Sequence, residues 1–156
     1  MANKFLKDEF IPVNPQKYSG SGKIIYRSGW EKKVMETFDL HPDVLSWSSE
    51  PFSLPYYNPT KPGQMGRPNS VYVPDFIVLY ATADGKQRCE MIEVKPYKEV
   101  PGVPLGKGKS AQKTQLTQMI NAEKWKAARA FCTKRGIYFR VMTENEIFAW
   151  GGGKKK

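Results

Sequence analysis

Two carboxylates and a lysine stand in the most hydrophobic stretch of this chain. Asp75 interrupts Val71, Val73, Phe76, Ile77 and Val78, while Glu93 and Lys95 alternate with Ile92 and Val94. Successive side chains of a strand point to opposite faces, so Glu93 and Lys95 share one. Ionised groups in such surroundings are costly unless they pair with one another or hold a cation. A divalent metal supplies that compensation. Mg2+ takes a few carboxylates and keeps positions open for water and phosphate, so Asp75 and Glu93 across a hairpin, with the backbone carbonyl of Val94, suffice as an incomplete cage. Lys95 beside the ion would orient or help deprotonate an attacking water and balance charge as phosphorus becomes pentavalent. The plainer alternative is an ion pair of Lys95 with Glu93 or Asp75 at the edge of an ordinary sheet.

These residues need elements to hold them. Trp30, Val34 and Phe38 recur at four-residue spacing and Pro42 closes the pattern, which predicts a helix over 29–40. Residues 44–48 and 52–57 are rich in β-branched or aromatic side chains and flank a Ser-Glu-Pro turn, predicting a hairpin. Residues 58–70 are saturated with turn formers and carry Lys61 and Arg67, as a mobile loop would. Residues 71–80 and 88–95 read as the central strands, joined through Asp84-Gly85, a strong hairpin signal. A lysine-bearing loop over 97–109 leads into a long helix that carries Leu116, Ile120, Trp125, Ala128 and Phe131 and stops at Gly136. A strand over 137–142 and a helical turn from Glu144 complete the order. That succession predicts an α/β fold, a mixed β-sheet flanked by helices on its faces. The expected organisation is a basic N-terminal arm over 1–27, one domain over 28–150 and a flexible lysine tail over 151–156.

Twenty-five Lys and Arg oppose fifteen Asp and Glu, a formal charge of +10 that favours a polyanionic partner by attraction and counterion release. Without Lys154, Lys155 and Lys156 the charge is still +7, and nucleic acid is the expected partner. Cys89 and Cys132 lie far apart with no second Cys or His at ligand spacing, so reduced thiols are expected rather than a zinc site or a disulfide framework. No apolar run approaches about 18 residues and residues 1–8 lack a signal-peptide core, so a soluble protein inside a cell, with no membrane role, is expected. No glycine-rich segment has the spacing of a phosphate-binding loop, which argues against a nucleotide cofactor.

Pro74-Asp75 with Glu93-Val94-Lys95 resembles the PD-(D/E)xK nuclease signature, which is carried on the restriction-endonuclease-like fold. Arg27-Ser28-Gly29-Trp30-Glu31, Ser49-Glu50-Pro51-Phe52, Val73-Pro74-Asp75-Phe76 and Ile92-Glu93-Val94-Lys95, in that order, resemble the head completion nucleases of T-even-type tailed phages. The resemblance extends to the cutting subunits of heteromeric transposases, and it covers residues 26–148. It implies that Asp75 and Glu93 are metal ligands, Lys95 the catalytic lysine and Glu31 a further acidic residue of the site. It also implies Mg2+ as cofactor with Mn2+ as substitute, DNA as substrate, phage head or portal proteins as further partners, and work in the host cytoplasm or with the virion. A DNA-end-binding virion protein with a vestigial nuclease fold and a transposase-type subunit stay open as alternatives. The intact Asp75, Glu93 and Lys95 set favours an enzyme.

Several residues have two readings. Ser28 to Glu31 is also a capping box, in which hydroxyl and carboxylate satisfy amides at the helix start. Glu50, before Pro51, is a site acid or a solvated turn carboxylate. Gln112 and Gln115 could reach a bound phosphate or form a polar helix face. His41 suits a capping role at a helix end. Tyr56 and Tyr57 fit base stacking or a strand-end core. Lys61, Arg67, Lys98, Lys107, Lys109 and Lys113 are candidate phosphate contacts, or simply solvated charges.

Overall fold

The computed structural model describes residues 7–147. Among the described residues eight strands and two long helices follow in the order β1 (Asp8–Glu9), β2 (Ile25–Tyr26), α1 (Gly29–Leu40), β3 (Val44–Ser49), β4 (Leu54–Tyr56), β5 (Ser70–Tyr72), β6 (Phe76–Ala81), β7 (Gln87–Val94), α2 (Lys109–Arg135) and β8 (Tyr138–Met142), and residues 144–147 are helical as expected. Ser28 starts α1 by accepting the amide of Glu31 on its hydroxyl at 3.1 Å. His41 ends it in an extended conformation, which the following Pro42 favours. Gly136 ends α2 in the left-handed conformation, φ 69°, as a residue without a Cβ can at little cost.

Four strands form the main sheet in the order β3-β6-β7-β8. The first two pairings are antiparallel and the last is parallel. A tight turn suffices between β6 and β7, and Gly85 supplies its positive φ. The parallel β7–β8 pairing needs a crossover instead, and α2 provides it. Side chains alternate along β7, so its two faces feed two cores. Ile92 and Val94 join Trp47, Phe76, Val78 and Met142 against Val34, Met35 and Phe38 of α1. Met91 joins Leu54, Tyr56 and Tyr72 against Trp125, Ala128 and Cys132 of α2. A mixed sheet between helices is thus the α/β architecture expected from the order of elements, and both cysteines are free thiols.

Four expectations are revised. Residues 8–27 do not form a free arm: β1 pairs with β2, and Phe10, Ile24 and Tyr26 are buried in the α1-side core. Asp39 of α1 anchors this segment by accepting the amides of Val13 at 2.7 Å and Asn14 at 2.8 Å. Residues 44–57 are not a hairpin, because β3 pairs with β6 and β4 with β5. Glu50, at φ 47°, and Pro51 turn the chain out of the main sheet between them. The strand expected over 71–80 is two strands, parted at Val73-Pro74-Asp75, since Pro74 has no N–H to give a ladder. Finally, the loop over 58–70 is clasped at its base, where Asn58 and Asn69 exchange backbone-to-amide hydrogen bonds of 2.7 and 3.1 Å. The lysine tail and residues 148–150 of the expected domain lie outside the described residues.

Burial of the N-terminal segment has a measurable consequence. Phe10 packs edge-on against Trp47 with ring centroids 5.9 Å apart. Phe10→Ala is expected to cost about 3 kcal/mol in guanidinium unfolding, as deletion of a buried aromatic does. A free arm would give no change.

Candidate active site

The strand break at Pro74 places the first carboxylate. Asp75 lies just outside the β6–β7 ladder, whose first pair on this side is Phe76 with Ile92. Freed from strand pairing, its Oδ2 accepts the amide of Val94 at 2.7 Å. Glu93, only 3% exposed, projects from β7 on the α2 side of the sheet. Its Oε1 accepts the Tyr72 hydroxyl at 2.9 Å, and its Oε2 lies 3.7 Å from Lys95 Nζ. Lys95 follows the last residue of β7 and is held by its amide, which donates to the Met142 carbonyl at 3.0 Å. Asp75, Glu93, Val94 and Lys95 are therefore brought together at one end of the central hairpin.

The charges there are unbalanced. Burial lifts the Asp75 carboxyl well above the usual carboxylate range, and the charges of Glu93 and Glu31 add to it; the Val94 amide and Lys95 oppose. Burial also raises Glu93, against Lys95 and the Tyr72 hydroxyl. For Lys95, burial favours the neutral amine, but Glu93, Asp75, Glu99 and Glu31 outweigh it and hold the ammonium above its ordinary pKa. Tyr72 is pushed upward by burial and then by Glu93, so it stays a donor. A surplus of carboxylate charge in a sheltered place suits a small, hard cation. Among the described residues no three His, Cys, Asp or Glu side chains group closely enough to ligate one ion. An ion bound here would draw on Asp75 and Glu93 with backbone, water or substrate oxygens.

Glu31 stands beside this group without joining it. Its Oε1 accepts the Arg27 amide at 3.0 Å, so the carboxylate does cap the start of α1, one residue earlier than a reciprocal box would. Burial raises its pKa, and its charge acts on both Asp75 and Lys95. Glu50 is exposed and pairs with Arg27 at 3.0 Å, while its amide donates to the Asp75 carbonyl at 2.9 Å. Lys61, Arg67, Lys98, Lys107, Lys109 and Lys113 are all exposed, the first two in the 58–70 loop and the rest before or early in α2. Gln112 and Gln115 line a cavity with Val103 and Leu105 that includes none of the carboxylates. His41 is exposed and accepts the Asp43 amide on Nδ1 at 3.1 Å, a turn role. Tyr56 is buried in the α2-side core and Tyr57 is half-buried.

Four polar residues of the site region escaped the sequence reading. Tyr72 orients Glu93. Gln118 donates to the carbonyls of Lys98 at 2.7 Å and Val103 at 3.1 Å, and Asn121 to that of Glu99 at 3.0 Å. These two buried amides fasten the loop after Lys95 onto α2. Lys124 brings a second ammonium near the carboxylates. The legible signal for the amides was their place at 118 and 121, on the same stripe as Trp125, Ala128 and Cys132, where a polar side chain must serve a buried partner.

A mixed sheet between helices, with an acid, an acid and a lysine gathered at the end of its central hairpin, defines a restriction-endonuclease-like domain of the nuclease class. The family described as TnsA-like endonuclease N terminal matches residues 41–144. The chain is also 35% identical over 150 residues to the head completion nuclease of Enterobacteria phage T4, covering 92% of this chain and 94% of that protein. This chain belongs to the TnsA-like endonuclease family, and its function is that of a phage nuclease. No described helix is long and apolar enough to cross a membrane.

The raised Asp75 pKa has a signed effect on stability. A carboxyl that holds its proton more tightly folded than unfolded costs stability as pH rises from the ordinary carboxylate range through the raised value. Asn keeps an oxygen for the Val94 amide and loses the charge. In EDTA, Asp75→Asn is therefore expected to melt above the parent protein at neutral pH, the gap closing as pH falls into the carboxylate range. A variant that melts below the parent at neutral pH would mean that the Asp75 charge is already compensated.

Proposed function

We propose that this nuclease is a divalent-metal-dependent DNA endonuclease that works as a head completion nuclease, processing DNA as phage capsids mature. The observation that carries the reading is the pair of half-buried Asp75 and buried Glu93, locked by Val94 and Tyr72 and faced by Lys95. Asp75, Glu93 and the Val94 carbonyl are the ligand set, with Mg2+ as the ion and Mn2+ as its substitute. When bound, the ion polarises the phosphoryl oxygens and lowers the pKa of water enough to make a nucleophile at neutral pH. Lys95, kept protonated by its acidic neighbours, donates to a phosphate oxygen and neutralises the charge that grows there as the phosphodiester opens. Glu31 adds negative charge to the same site from the start of α1.

The remaining chain supplies substrate affinity. Lys61 and Arg67 extend from the clasped loop, and Lys98, Lys107, Lys109 and Lys113 from the region before and within the first turns of α2. Such side chains touch phosphates and position a duplex without reading its sequence. The formal charge of +10 supports the same partner. Head or portal proteins are the further partners that this role implies, in the host cytoplasm or on the virion.

Incubation with linear and circular DNA tests the reading, with Mg2+ and with EDTA. Asp75→Asn and Glu93→Gln are each expected to lower cleavage at least about 100-fold while DNA binding persists, the scale of losing one preorganised electrostatic group. Lys95→Ala should stop cleavage yet keep Mn2+ affinity, since lysine is no ligand. Parental cutting by Asp75→Asn would remove Asp75 from the catalytic set, and DNA binding by the parent protein with no metal-dependent cutting would make a DNA-end-binding virion protein the better account. Glu31→Gln keeps an oxygen for the Arg27 amide, so a folded, inactive variant assigns Glu31 to the site and a fully active one confines it to capping.

A further inference from the structure

Lys124 sits on α2 directly before Trp125, whose burial against the sheet sets the rotation of the helix. Its Nζ lies 5.6 Å from the centre of the Tyr72 ring and 5.8 Å from that of Tyr56. Tyr72 donates its hydroxyl to Glu93, so one tyrosine separates this ammonium from the carboxylate. Lys124 is half-buried, yet among the described residues it forms no ion pair and no hydrogen bond. Glu93 is already engaged by Tyr72 and Lys95. Two aromatic faces compensate a sheltered ammonium only weakly. Burial and then the like charge of Lys95 lower its proton affinity, with Glu93, Asp75 and Glu99 opposing. Two lysines thus approach the carboxylate pair from β7 and from α2, and one of them lacks an anion. A phosphodiester, whose single negative charge is shared by two non-bridging oxygens, supplies it.

We propose that Lys124 binds a non-bridging oxygen of a DNA phosphate at the Asp75–Glu93 site, as a second phosphate-contacting cation beside Lys95. The inference rests on the nuclease reading of that site. It assigns a task to a half-buried ammonium that lies over two tyrosine rings and pairs with no anion among the described residues. The ammonium itself lies over the two tyrosine rings, at the side of the carboxylate pair that Tyr72 adjoins. Tyr56 and Tyr72 then serve as the rest against which the ammonium is preorganised.

The test is equilibrium binding of the full-length protein to a short duplex in EDTA, over a range of salt. Lys124→Met keeps the stem and removes the charge, Lys124→Gln is a second neutral variant, and Lys124→Arg restores the charge. Each neutral variant is expected to flatten the slope of log affinity against log salt by about 0.9, the contribution of one phosphate contact on duplex DNA, with Arg recovering it. Lys86→Met, at the far turn of the β6–β7 hairpin, is expected to keep the parental slope. Single-turnover cleavage with Mn2+ should fall on the order of 100-fold in Lys124→Met. Parental slopes in both neutral variants would overturn the proposal even if cleavage fell, because Lys124 would then act on Glu93 through Tyr72. An equal loss in Lys86→Met would overturn it as well, since any surface charge would do the same. Failure of the underlying reading shows elsewhere, in DNA binding by the parent protein with no metal-dependent cutting.

Discussion

The site depends on one hydrogen bond across the end of the central hairpin, from the Val94 amide to the Asp75 carboxylate. It is available because Pro74 cannot continue a ladder, so the chain leaves the β4–β5 sheet after Tyr72 and enters the main sheet only at Phe76. The same break sends β5 to pair with β4, which carries Tyr72 over Glu93. A single imino acid therefore separates two strands, aims one carboxylate along the sheet and supplies the donor that orients the other.

Around that point the two cores act as opposite walls. The α1-side core fixes β3, β6 and β7 through Trp47, Phe76 and Ile92, and Ser28 at the start of α1 holds Glu31 near the acids. The α2-side core fixes Tyr72 through Trp125 and Ala128. Gln118 and Asn121 extend this hold to the loop after Lys95, so the lysine is bounded on one side by the β7–β8 pairing and on the other by a fastened loop. Restraint on both sides is what electrostatic catalysis requires, because a charge already in place needs no reorganisation when the substrate's charge develops.

Negative charge is concentrated where water is least available, and positive charge is spread over exposed loops and helix ends. Beyond burial, Glu93 and Glu31 raise the proton affinity of Asp75, and Glu93, Asp75, Glu99 and Glu31 hold Lys95 protonated. Elsewhere Arg27 pairs with Glu50, and Arg88 and Arg140 with Glu90, while Lys61, Arg67, Lys98, Lys107, Lys109 and Lys113 form no ion pair among the described residues. This division suits a polyanionic substrate: the surface supplies long-range attraction, and affinity for a cation would come from Glu93 and half-buried Asp75.

Much of this was legible in the sequence. Period-2 alternation placed Glu93 and Lys95 on one face, Asp84-Gly85 marked the central hairpin, and Ser28, Pro42 and Gly136 bounded the two helices, because these are local signals read within a few residues. Strand partners were not legible. The apparent hairpin over 44–57 and the apparent single strand over 71–80 both dissolved, since pairing is chosen by contacts between residues far apart along the chain. The N-terminal segment escaped for the same reason: Phe10, Ile24 and Tyr26 follow no period, and only packing with Trp47 and α1 makes them core. By itself the sequence determined which residues are acids, amides and lysines and which of them share a face. Tertiary structure alone decided that Tyr72 and Lys124 join them, because packing of the α2-side core is what sets a strand of a second sheet against Glu93 and a lysine of α2 against that strand's tyrosine.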